Sequence, residues 1–416
     1  MVSLLRWAKP LLGRFASTPR PKFPLEFPTS NFPTISATET LEEEHFDEFR
    51  KNLYYPVKIG DTFKDGSRYQ VIGKLGYGIT STVWLARDLD NYQYVTLKIY
   101  TRDQTNPEEF QIYKALSRGN SSHPGYRHVR TALNTFVIPR EGSHHHCLVQ
   151  KPMWESFRDL LNRNPRHRFT EDLLKAGLKQ LFLALDYIHT ECKLVHTDIK
   201  SENILVALED KKVLDDFTRD EMMNPSPRKV ISGIPIFVSR RFGLPRTFGD
   251  VVLSDFGSVV RGDEDRIHDA QPSIYRSPEV MLKVKWSYPI DIWNVGVMIW
   301  DLFEDKHMFY GNDIHGKGYS TRAHLAEVMA MIGQPPLDLL RRGVRSHEFF
   351  TEHGTWKHGV EIPIIRTSLE TSEQYLQGRN KEMFLSFMRG MIQWRPEDRK
   401  TAKELLQDPW LNEVIE

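Results

Sequence analysis

The 416-residue sequence contains only two cysteines, Cys147 and Cys192, and its apolar stretches are all too short to cross a bilayer. Two cysteines cannot build a disulfide framework or a cysteine-based zinc site, which indicates a reducing compartment. Charge of either sign is not in excess, since 56 Lys and Arg face 55 Asp and Glu. The composition therefore predicts no membrane span and no direct binding of nucleic acid through bulk charge.

Acidic residues are missing from the N-terminus until Glu26. Before it, basic residues alternate with leucines and aromatic residues, at Arg6, Lys9, Arg14, Arg20 and Lys22. This pattern is typical of a mitochondrial transit peptide, and a disordered basic tail has the same composition. Pro, Ser and Thr then dominate residues 23–40, so we expect a disordered leader and linker over residues 1–45. Cytoplasm and nucleus are the expected location, with mitochondria as the alternative.

Hydrophobic periodicity divides the remainder into a β-rich part and a helical part. Residues 69–100 contain three β-type segments joined by Gly and Asp/Asn turns, which predicts an antiparallel meander. A short amphipathic helix at "NPEEFQIYKALS" (residues 106–117) and a buried strand at "HCLVQKPM" follow, and helical patterns dominate afterwards. We therefore predict an α+β, bilobal fold. A small antiparallel lobe with one main helix covers residues 54–153, and a large, mostly helical lobe covers 154–411 with a short insert at about 207–250.

The stretch "LGYGITSTV" places Gly76 and Gly78 between two strands. Without Cβ atoms, these residues let the backbone approach phosphate groups closely. A glycine-containing hairpin turn has the same local pattern, and Ser81 replaces the third glycine of the usual motif. Val83, two residues after Ser81, is placed to cover a nucleotide base.

Lys98 ends the β-type run "VTLK", where its ammonium could bind the α and β phosphates of a nucleotide. Glu109 lies in the helix that follows and is placed to orient Lys98 through an ion pair. The neighbouring Glu108 is the competing partner.

The stretch "LVHTDIKSENIL" carries residues suited to phosphoryl transfer. Asp198 would accept or orient the proton of an attacking hydroxyl, and Lys200 would neutralise charge on the transferred group. Asn203 offers an amide oxygen to a metal ion, and Asp255 in "VVLSDFGS" is the expected main ligand. Hard oxygen ligands completed by phosphates and water predict Mg²⁺.

In this order and spacing, the motifs resemble the eukaryotic protein kinase superfamily. "YYPVKIGDTF", "KLGYGITSTVWLARD", "LVHTDIKSENIL", "QPSIYRSPEVML" and "DIWNVGVMIWDLFE" are most similar to the SR-protein kinase family, and to its fungal members in particular. The resemblance implies an ATP- and Mg²⁺-dependent serine/threonine kinase. It also implies a monomer and arginine/serine-rich, splicing-type protein substrates. It implies a nucleotide site that adds Leu75 and Met153 to the residues already named.

The resemblance also assigns structural roles in the large lobe. Glu279 is expected to pair with a buried Arg399, and Asp291 to bind the backbone of the catalytic loop. Arginine-rich substrates imply acidic docking residues, for which "DLFEDKHMFYGND" offers Asp301, Glu304, Asp305 and Asp313.

Two positions depart from the general kinase pattern. Thr96 replaces the alanine of "VAIK" and puts a polar side chain against the nucleotide base. Thr197 stands where an arginine usually pairs with a phosphate on the activation segment. Residues 259–272 contain no Ser, Thr or Tyr, so we predict a kinase that is active as synthesised.

Two other classes of function are possible. A pseudokinase or scaffold would bind partners without transferring phosphate, but it usually lacks the lysine, the base or the metal aspartate, and all of these are present. A kinase of small molecules is disfavoured by "YRSPEV" and "DIW", which resemble a platform for peptide substrates.

Overall fold

The computed structural model describes residues 23–30, 32–64, 67–102, 107–140, 142–231, 233–313, 315–357 and 367–413. The first 22 residues of the predicted leader lie outside these ranges. Within them, each helix is too short or too polar to cross a membrane.

A six-stranded antiparallel sheet forms the small lobe. Its strands are β1 (Thr62–Phe63), β2 (Tyr69–Gly78), β3 (Ser81–Asp88), β4 (Gln93–Tyr100), β5 (Asn134–Arg140) and β6 (Ser143–Gln150), in the spatial order β1-β2-β3-β4-β6-β5. The predicted meander is β2 to β4. Strand β4 alternates, with Val95, Leu97 and Ile99 in the core of the outer face. Lys98 therefore projects from the opposite face, towards the cleft.

Two helices accompany the sheet: α1 (Asp47–Arg50) and α2 (Pro107–Arg118). The helix predicted at 106–117 is confirmed as α2, one residue further along the chain at each end. It buries Phe110, Tyr113 and Leu116, which recur at the three-residue spacing of one helix face. This packing fixes α2 beside the cleft.

The large lobe is mostly helical, as predicted. Its helices are α3 (Phe157–Arg163), α4 (Glu171–Asp186), α5 (Lys211–Met223), α6 (Pro278–Leu282), α7 (Pro289–Phe303), α8 (Thr321–Ile332), α9 (Leu337–Arg342), α10 (Ser346–Phe349), α11 (Leu369–Ser372), α12 (Gly378–Arg389), α13 (Ala402–Leu406) and α14 (Pro409–Asn412). Every residue of α7 from Ile290 to Phe303 is buried, so this helix is the axis of the lobe. The Thr170 hydroxyl accepts from Leu173 N at 3.3 Å and begins α4.

Short strands carry the loops at the interface of the lobes. They are β7 (Met153–Ser156), β8 (Leu194–Val195), β9 (Ile204–Ala207), β10 (Arg228–Ile231), β11 (Ile234–Phe237), β12 (Val251–Leu253) and β13 (Val260–Arg261). Strand β9 lies between β7 and β12. Asn203 precedes β9 and Asp255 follows β12, so antiparallel pairing of these strands brings the two residues together.

The insert between β9 and β12 folds back onto the small lobe. Phe217 of α5 packs on β2 at Gly73, where an added Cβ would lie 2.8 Å from the phenyl ring. Only glycine fits this contact. Tyr94 of β4 donates a hydrogen bond to Asp215 Oδ1 at 2.7 Å. The insert is therefore packed as part of the small lobe.

The described residues before 46 also pack on the small lobe, whereas the sequence predicted a disordered linker. Leu25 N donates to Gln70 Oε1 at 2.8 Å, and Ile35 N donates to Arg228 O at 3.1 Å. A 3-10 turn at Glu42–His45 follows. The described residues between 23 and 45 thus connect β2 with the insert hairpin β10–β11.

A group of charges that we call the Lys74 cluster joins strand β2, the described residues before 46 and the insert hairpin β10–β11. It consists of Lys74 of β2, the carboxylates Glu42, Glu43 and Glu44, and Lys229 of β10. The fully buried Lys74 Nζ contacts Glu43 and lies 2.7 Å from Glu42 Oε2, and Lys229 Nζ lies 2.6 Å from Glu44 Oε2. Burial raises the pKa of Glu43 despite the opposing charge of Lys74. The cluster holds the strand that leads into the glycine-containing turn.

Candidate active site

The cleft between the lobes contains a cavity of about 250 Å³. Leu75 and Val83 line it from the small lobe, and Met153 lines it from the connection between the lobes. All three were predicted from the sequence. Their apolar side chains are suited to contact a nucleotide base.

Gly76 and Gly78 lie at the turn between β2 and β3, where Gly78 pairs with Ser81 and Gly76 pairs with Val83. A Cβ added at either glycine would meet no atom within 4 Å. The backbone therefore borders open space at this edge of the cleft. Phosphate groups could approach its N–H groups there without meeting a side chain.

Lys98 lies between two carboxylates. Its Nζ is 3.1 Å from Asp255 Oδ1 and 3.8 Å from Glu109 Oε1. Glu109 is buried, and it also accepts a hydrogen bond from Tyr100 Oη at 2.6 Å. Glu108 is exposed, so the structure selects Glu109 as the partner of Lys98.

Electrostatics keep this group of residues charged. Burial disfavours the ammonium of Lys98, but the carboxylates around it outweigh burial and raise its pKa. The Lys98 charge in turn lowers the pKa of Asp255 against the effect of burial. Both groups are therefore ionised at neutral pH, as binding of phosphate and metal requires.

The catalytic loop brings Asp198, Lys200 and Asn203 together. Lys200 Nζ lies 2.9 Å from Asp198 Oδ2. The Asn203 amide nitrogen donates to Asp198 O at 2.8 Å and to Asp198 Oδ2 at 2.9 Å. These contacts fix the Asp198 carboxylate and leave the Asn203 amide oxygen to serve a metal ion.

The loop is held in place by Asp291, which is fully buried in α7. Its carboxylate accepts from His196 N at 2.7 Å and from Thr197 N at 2.8 Å. It also lies 2.9 Å from His189 Nε2. The expected backbone-binding role of Asp291 is present in the structure.

Thr197 adopts a left-handed backbone conformation, with φ at 68°. Such a conformation is unfavourable for a β-branched residue and must be imposed by its surroundings. Its hydroxyl donates to Ser258 O at 2.8 Å, just after the "SDFG" stretch. The residue thus ties the catalytic loop to the start of the following segment.

The oxygen donors fit Mg²⁺. Asp255 and Asn203 supply a carboxylate and an amide oxygen, and the described residues contain no group of three or more His, Cys, Asp or Glu that could hold a metal. A cation here would need phosphate and water oxygens to complete its coordination, which is the usual state of Mg²⁺ in phosphoryl-transfer sites.

Farther from the cleft, Glu279 and Arg399 form the expected ion pair. The two bonds measure 2.6 and 2.7 Å, and both side chains are fully buried. The pair joins α6 to the loop before α13 and supports the segment that follows Ser258.

Sequence reasoning missed the part of the insert that reaches the cavity. Arg240, Arg241 and Phe242 line it. Arg240 N donates to Lys74 O at 2.9 Å, and Trp154 Nε1 donates to Gly243 O at 3.0 Å. No local pattern could have revealed these contacts, because they join distant parts of the chain.

Comparison with known proteins agrees with this geometry. The protein kinase domain family matches residues 69–241 and 244–411. A solved kinase domain superposes with a TM-score of 0.67 at 20% identity, covering 87% of this chain and all of the other, which confirms the fold.

Curated relatives of similar length narrow the family. A serine/threonine protein kinase of Aspergillus fumigatus is 43% identical over 388 residues, covering 92% of this chain and 94% of the relative. The serine/threonine-protein kinase SRPK of Physarum polycephalum is 30% identical over 399 residues, with 90% and 92% covered. Human SRSF protein kinase 3 is 22% identical, with 91% and 92% covered. The chain therefore belongs to the protein kinase superfamily and, within it, to the SR-protein kinase family of serine/threonine kinases.

Proposed function

We propose that this kinase transfers the γ-phosphoryl group of ATP to serine hydroxyls of arginine/serine-rich proteins, and that it does so without prior phosphorylation. The observation that carries the proposal is the continuous set of contacts from Glu109 through Lys98 to Asp255, beside the Asp198–Asn203 pair. This set contains each group that phosphoryl transfer from a nucleotide requires. It disfavours the scaffold alternative.

Each residue has a defined task in this proposal. Lys98 binds and orients the phosphates, and Asp198 accepts the proton of the serine hydroxyl as its oxygen attacks the γ-phosphorus. Lys200 neutralises charge on the transferred group. Asp255 and Asn203 would hold Mg²⁺, which, when bound, neutralises the phosphate oxygens.

Activity without segment phosphorylation is supported by how residues 258–273 are held. Val260 pairs with Val195 of β8, Trp286 N donates to Arg266 O at 2.9 Å, and Ser287 Oγ donates to Gly262 O at 2.7 Å. Together with the Thr197 hydroxyl, these bonds order the segment through neutral contacts. Thr197 cannot form the ion pair that an arginine at this position would form with a phosphate on the segment.

The preference for arginine-rich substrates is supported by the relatives named SRPK and SRSF protein kinase. Two of the four acidic candidates do not help it. Asp301 is buried and accepts from Tyr275 Oη and pairs with His307, and Glu304 is also buried. Asp305 is exposed and Asp313 is half-buried, so only these two remain available to a substrate.

A further carboxylate lies closer to the chemistry. Glu202 is two residues beyond Lys200, its side chain is 47% exposed, and it lies 3.6 Å from Arg158 Nε. An exposed ion pair of this length is weak. A substrate arginine could displace Arg158 and reach Glu202 beside the attacking serine.

The test uses radiolabelled ATP with an arginine/serine peptide and a matched lysine/serine peptide. Wild type is compared with Asp198→Ala, with Glu202→Gln, and with the control Asp220→Ala, which alters an exposed carboxylate of the insert helix. We expect Asp198→Ala to abolish labelling, Glu202→Gln to weaken the arginine preference, and the control to match wild type.

Three results would reject parts of the proposal. Labelling by Asp198→Ala equal to wild type would reject the catalytic assignment. Equal use of both peptides by wild type would reject the arginine preference. Loss of most activity after phosphatase treatment would reject activity as synthesised.

A further inference from the structure

Part of the lining of the nucleotide cavity is polar. Thr96 of β4 lines the cavity two residues before Lys98. Gln150, the last residue of β6, pairs directly with Thr96 across the sheet. Opposed residues of antiparallel strands project from the same face as close neighbours, so the Gln150 side chain lies beside Thr96.

Arg130 completes this polar part of the lining. It lines the same cavity, and its guanidinium donates from Nη1 to Ser254 Oγ at 3.4 Å and from Nη2 to Lys151 O at 3.2 Å. Ser254 precedes the candidate metal ligand Asp255, and Lys151 lies in the connection between the lobes. Arg130 is thereby fixed between the base end and the phosphate end of the cavity.

Each of the three residues has a buried polar atom without a partner. Within the described ranges, Thr96 Oγ1, Gln150 Nε2 and Arg130 Nε are inaccessible to solvent and form no hydrogen bond. Buried polar atoms are nearly always bonded, because leaving them unpaired costs folding free energy. Thr96 and Arg130 line the cavity, and Gln150 is paired with Thr96 just behind it. Three such atoms at one end of a cavity indicate that a ligand supplies their partners.

The chemistry of these atoms defines that ligand. An arginine Nε–H can only donate, a glutamine amide can turn its nitrogen or its oxygen towards a ligand, and a threonine hydroxyl can do either. The arginine therefore requires an acceptor. Along the edge that carries N7, guanine presents two acceptors, N7 and O6, whereas adenine presents the N7 acceptor and an N6 amino donor.

We propose that the cavity binds guanine nucleotides as well as adenine nucleotides, and that Arg130, Gln150 and Thr96 determine this dual specificity. Gln150 can serve either base by turning its amide, and Arg130 favours the base with a carbonyl at C6. GTP would then be a second phosphoryl donor. The serine oxygen forms a bond to the γ-phosphorus, the bond from that phosphorus to the β–γ bridging oxygen breaks, GDP leaves, and Asp198 takes the hydroxyl proton.

This inference rests on the proposed kinase activity, so binding and transfer are measured separately. Calorimetry with Mg·ADP, Mg·GDP and Mg·IDP measures binding, and peptide phosphorylation with ATP, GTP and ITP gives KM and kcat. Inosine nucleotides carry the C6 carbonyl without the 2-amino group of guanine, so they isolate the contribution of O6. The variants are Arg130→Met and Gln150→Leu, with Arg127→Met as the matched control, because Arg127 lies in the same segment with a side chain 67% exposed.

For wild type, we expect the KM values of GTP and ITP to lie within about tenfold of that of ATP. Arg130→Met should raise the KM of GTP and ITP by about tenfold, the usual effect of losing one charged hydrogen bond, without raising that of ATP. Gln150→Leu should raise the KM of all three nucleotides, and Arg127→Met should change none of the ratios.

The outcomes separate the two proposals. GDP and IDP binding more than about hundredfold weaker than ADP, with transfer from ATP intact, would overturn the guanine inference and leave the kinase function standing. Tight GDP binding without transfer from any nucleotide would reject the function and keep the inference. If Arg130→Met does not fold, the guanine inference is still tested by the ratios of the nucleotide KM values of wild type and by the KM values of Gln150→Leu.

Discussion

Replacing Lys74 by methionine is expected to destabilise the protein strongly at neutral pH. The Lys74 side chain is fully buried, and the side chains of its partners Glu42 and Glu43 are only 13% and 8% exposed. Methionine fills a similar volume but leaves these carboxylates without their cation. Removing one partner of a buried ion pair typically costs about 3–5 kcal/mol.

The lower end of that range, about 3 kcal/mol, applies here. Glu42 keeps hydrogen bonds from Ser239 N at 2.6 Å and Ser239 Oγ at 2.8 Å, so Glu43 bears most of the loss. Burial already raises the pKa of Glu43, and without Lys74 that pKa must rise further. Glu43 can then relieve part of the penalty by taking up a proton.

The sign of the pH dependence follows. A carboxyl with a raised folded-state pKa binds its proton more tightly in the folded than in the unfolded protein, so its contribution to stability grows as the pH falls through the folded pKa. The difference between Lys74→Met and wild type should therefore be smaller at pH 5.0 than at pH 7.5. Adding Glu43→Gln to Lys74→Met should recover much of the loss and remove this pH dependence.

Urea unfolding followed by tryptophan fluorescence at the two pH values measures these differences. Lys51→Met, at an exposed position, is the matched control and should unfold like wild type. A loss below about 1 kcal/mol at pH 7.5, the level of an exposed ion pair, would refute the reasoning. Equal losses at both pH values would refute the role of Glu43.

Three further results are expected. Thr197→Val, which loses the hydrogen bond to Ser258 O, should lower kcat about fivefold with little change in the KM of ATP, and Thr197→Ser should not; equal kcat values would contradict the role of the hydroxyl. Arg399→Leu should lower the free energy of unfolding, measured with heat or urea, by about 3–5 kcal/mol, and the double variant with Glu279→Leu should be less destabilised. A double variant as unstable as Arg399→Leu would show that the two charges are not coupled. Burial lowers the pKa of His324 to about 3. Its contribution to stability is therefore complete above pH 6.5 and declines by about 1.4 kcal/mol per pH unit as the pH falls below that value. His324→Leu should flatten this decline in the free energy of unfolding, and parallel pH profiles of the variant and wild type would exclude His324 as its cause.

Local patterns were sufficient to predict the central strands and the reacting residues. Strands β2 to β4 follow their alternation, and helix α2 follows its apolar spacing. Asp198, Lys200 and Asn203 are close in sequence, so their loop can be recognised before any long-range packing is known. The choice between Glu108 and Glu109 was different, because neighbouring helix positions point about 100° apart and only the docking of α2 decides between them.

Contacts between distant residues could not be predicted. The run of glutamates at 42–44 has the composition of an exposed, solvated segment, and its partners Lys74 and Lys229 lie far along the chain. Asp301 has the sequence context of an exposed acid, but the α7 face on which it lies is covered by Tyr275 and His307. Charge alone therefore did not distinguish a docking residue from a buried one.

The return of the insert to the small lobe has a mechanical consequence. The chain passes from the small lobe to the large one near Met153, goes back through α5 and the hairpin β10–β11, and enters the large lobe again at β12. Two lobes joined by one segment rotate freely about it. Here, the insert moves with the small lobe, so rotation must also stretch or break its contacts with the start of the large lobe, such as Gly243 with Trp154 and Arg241 with Asp159. The amplitude of interlobe rotation is thus set by residues that lie, in the sequence, within the large lobe.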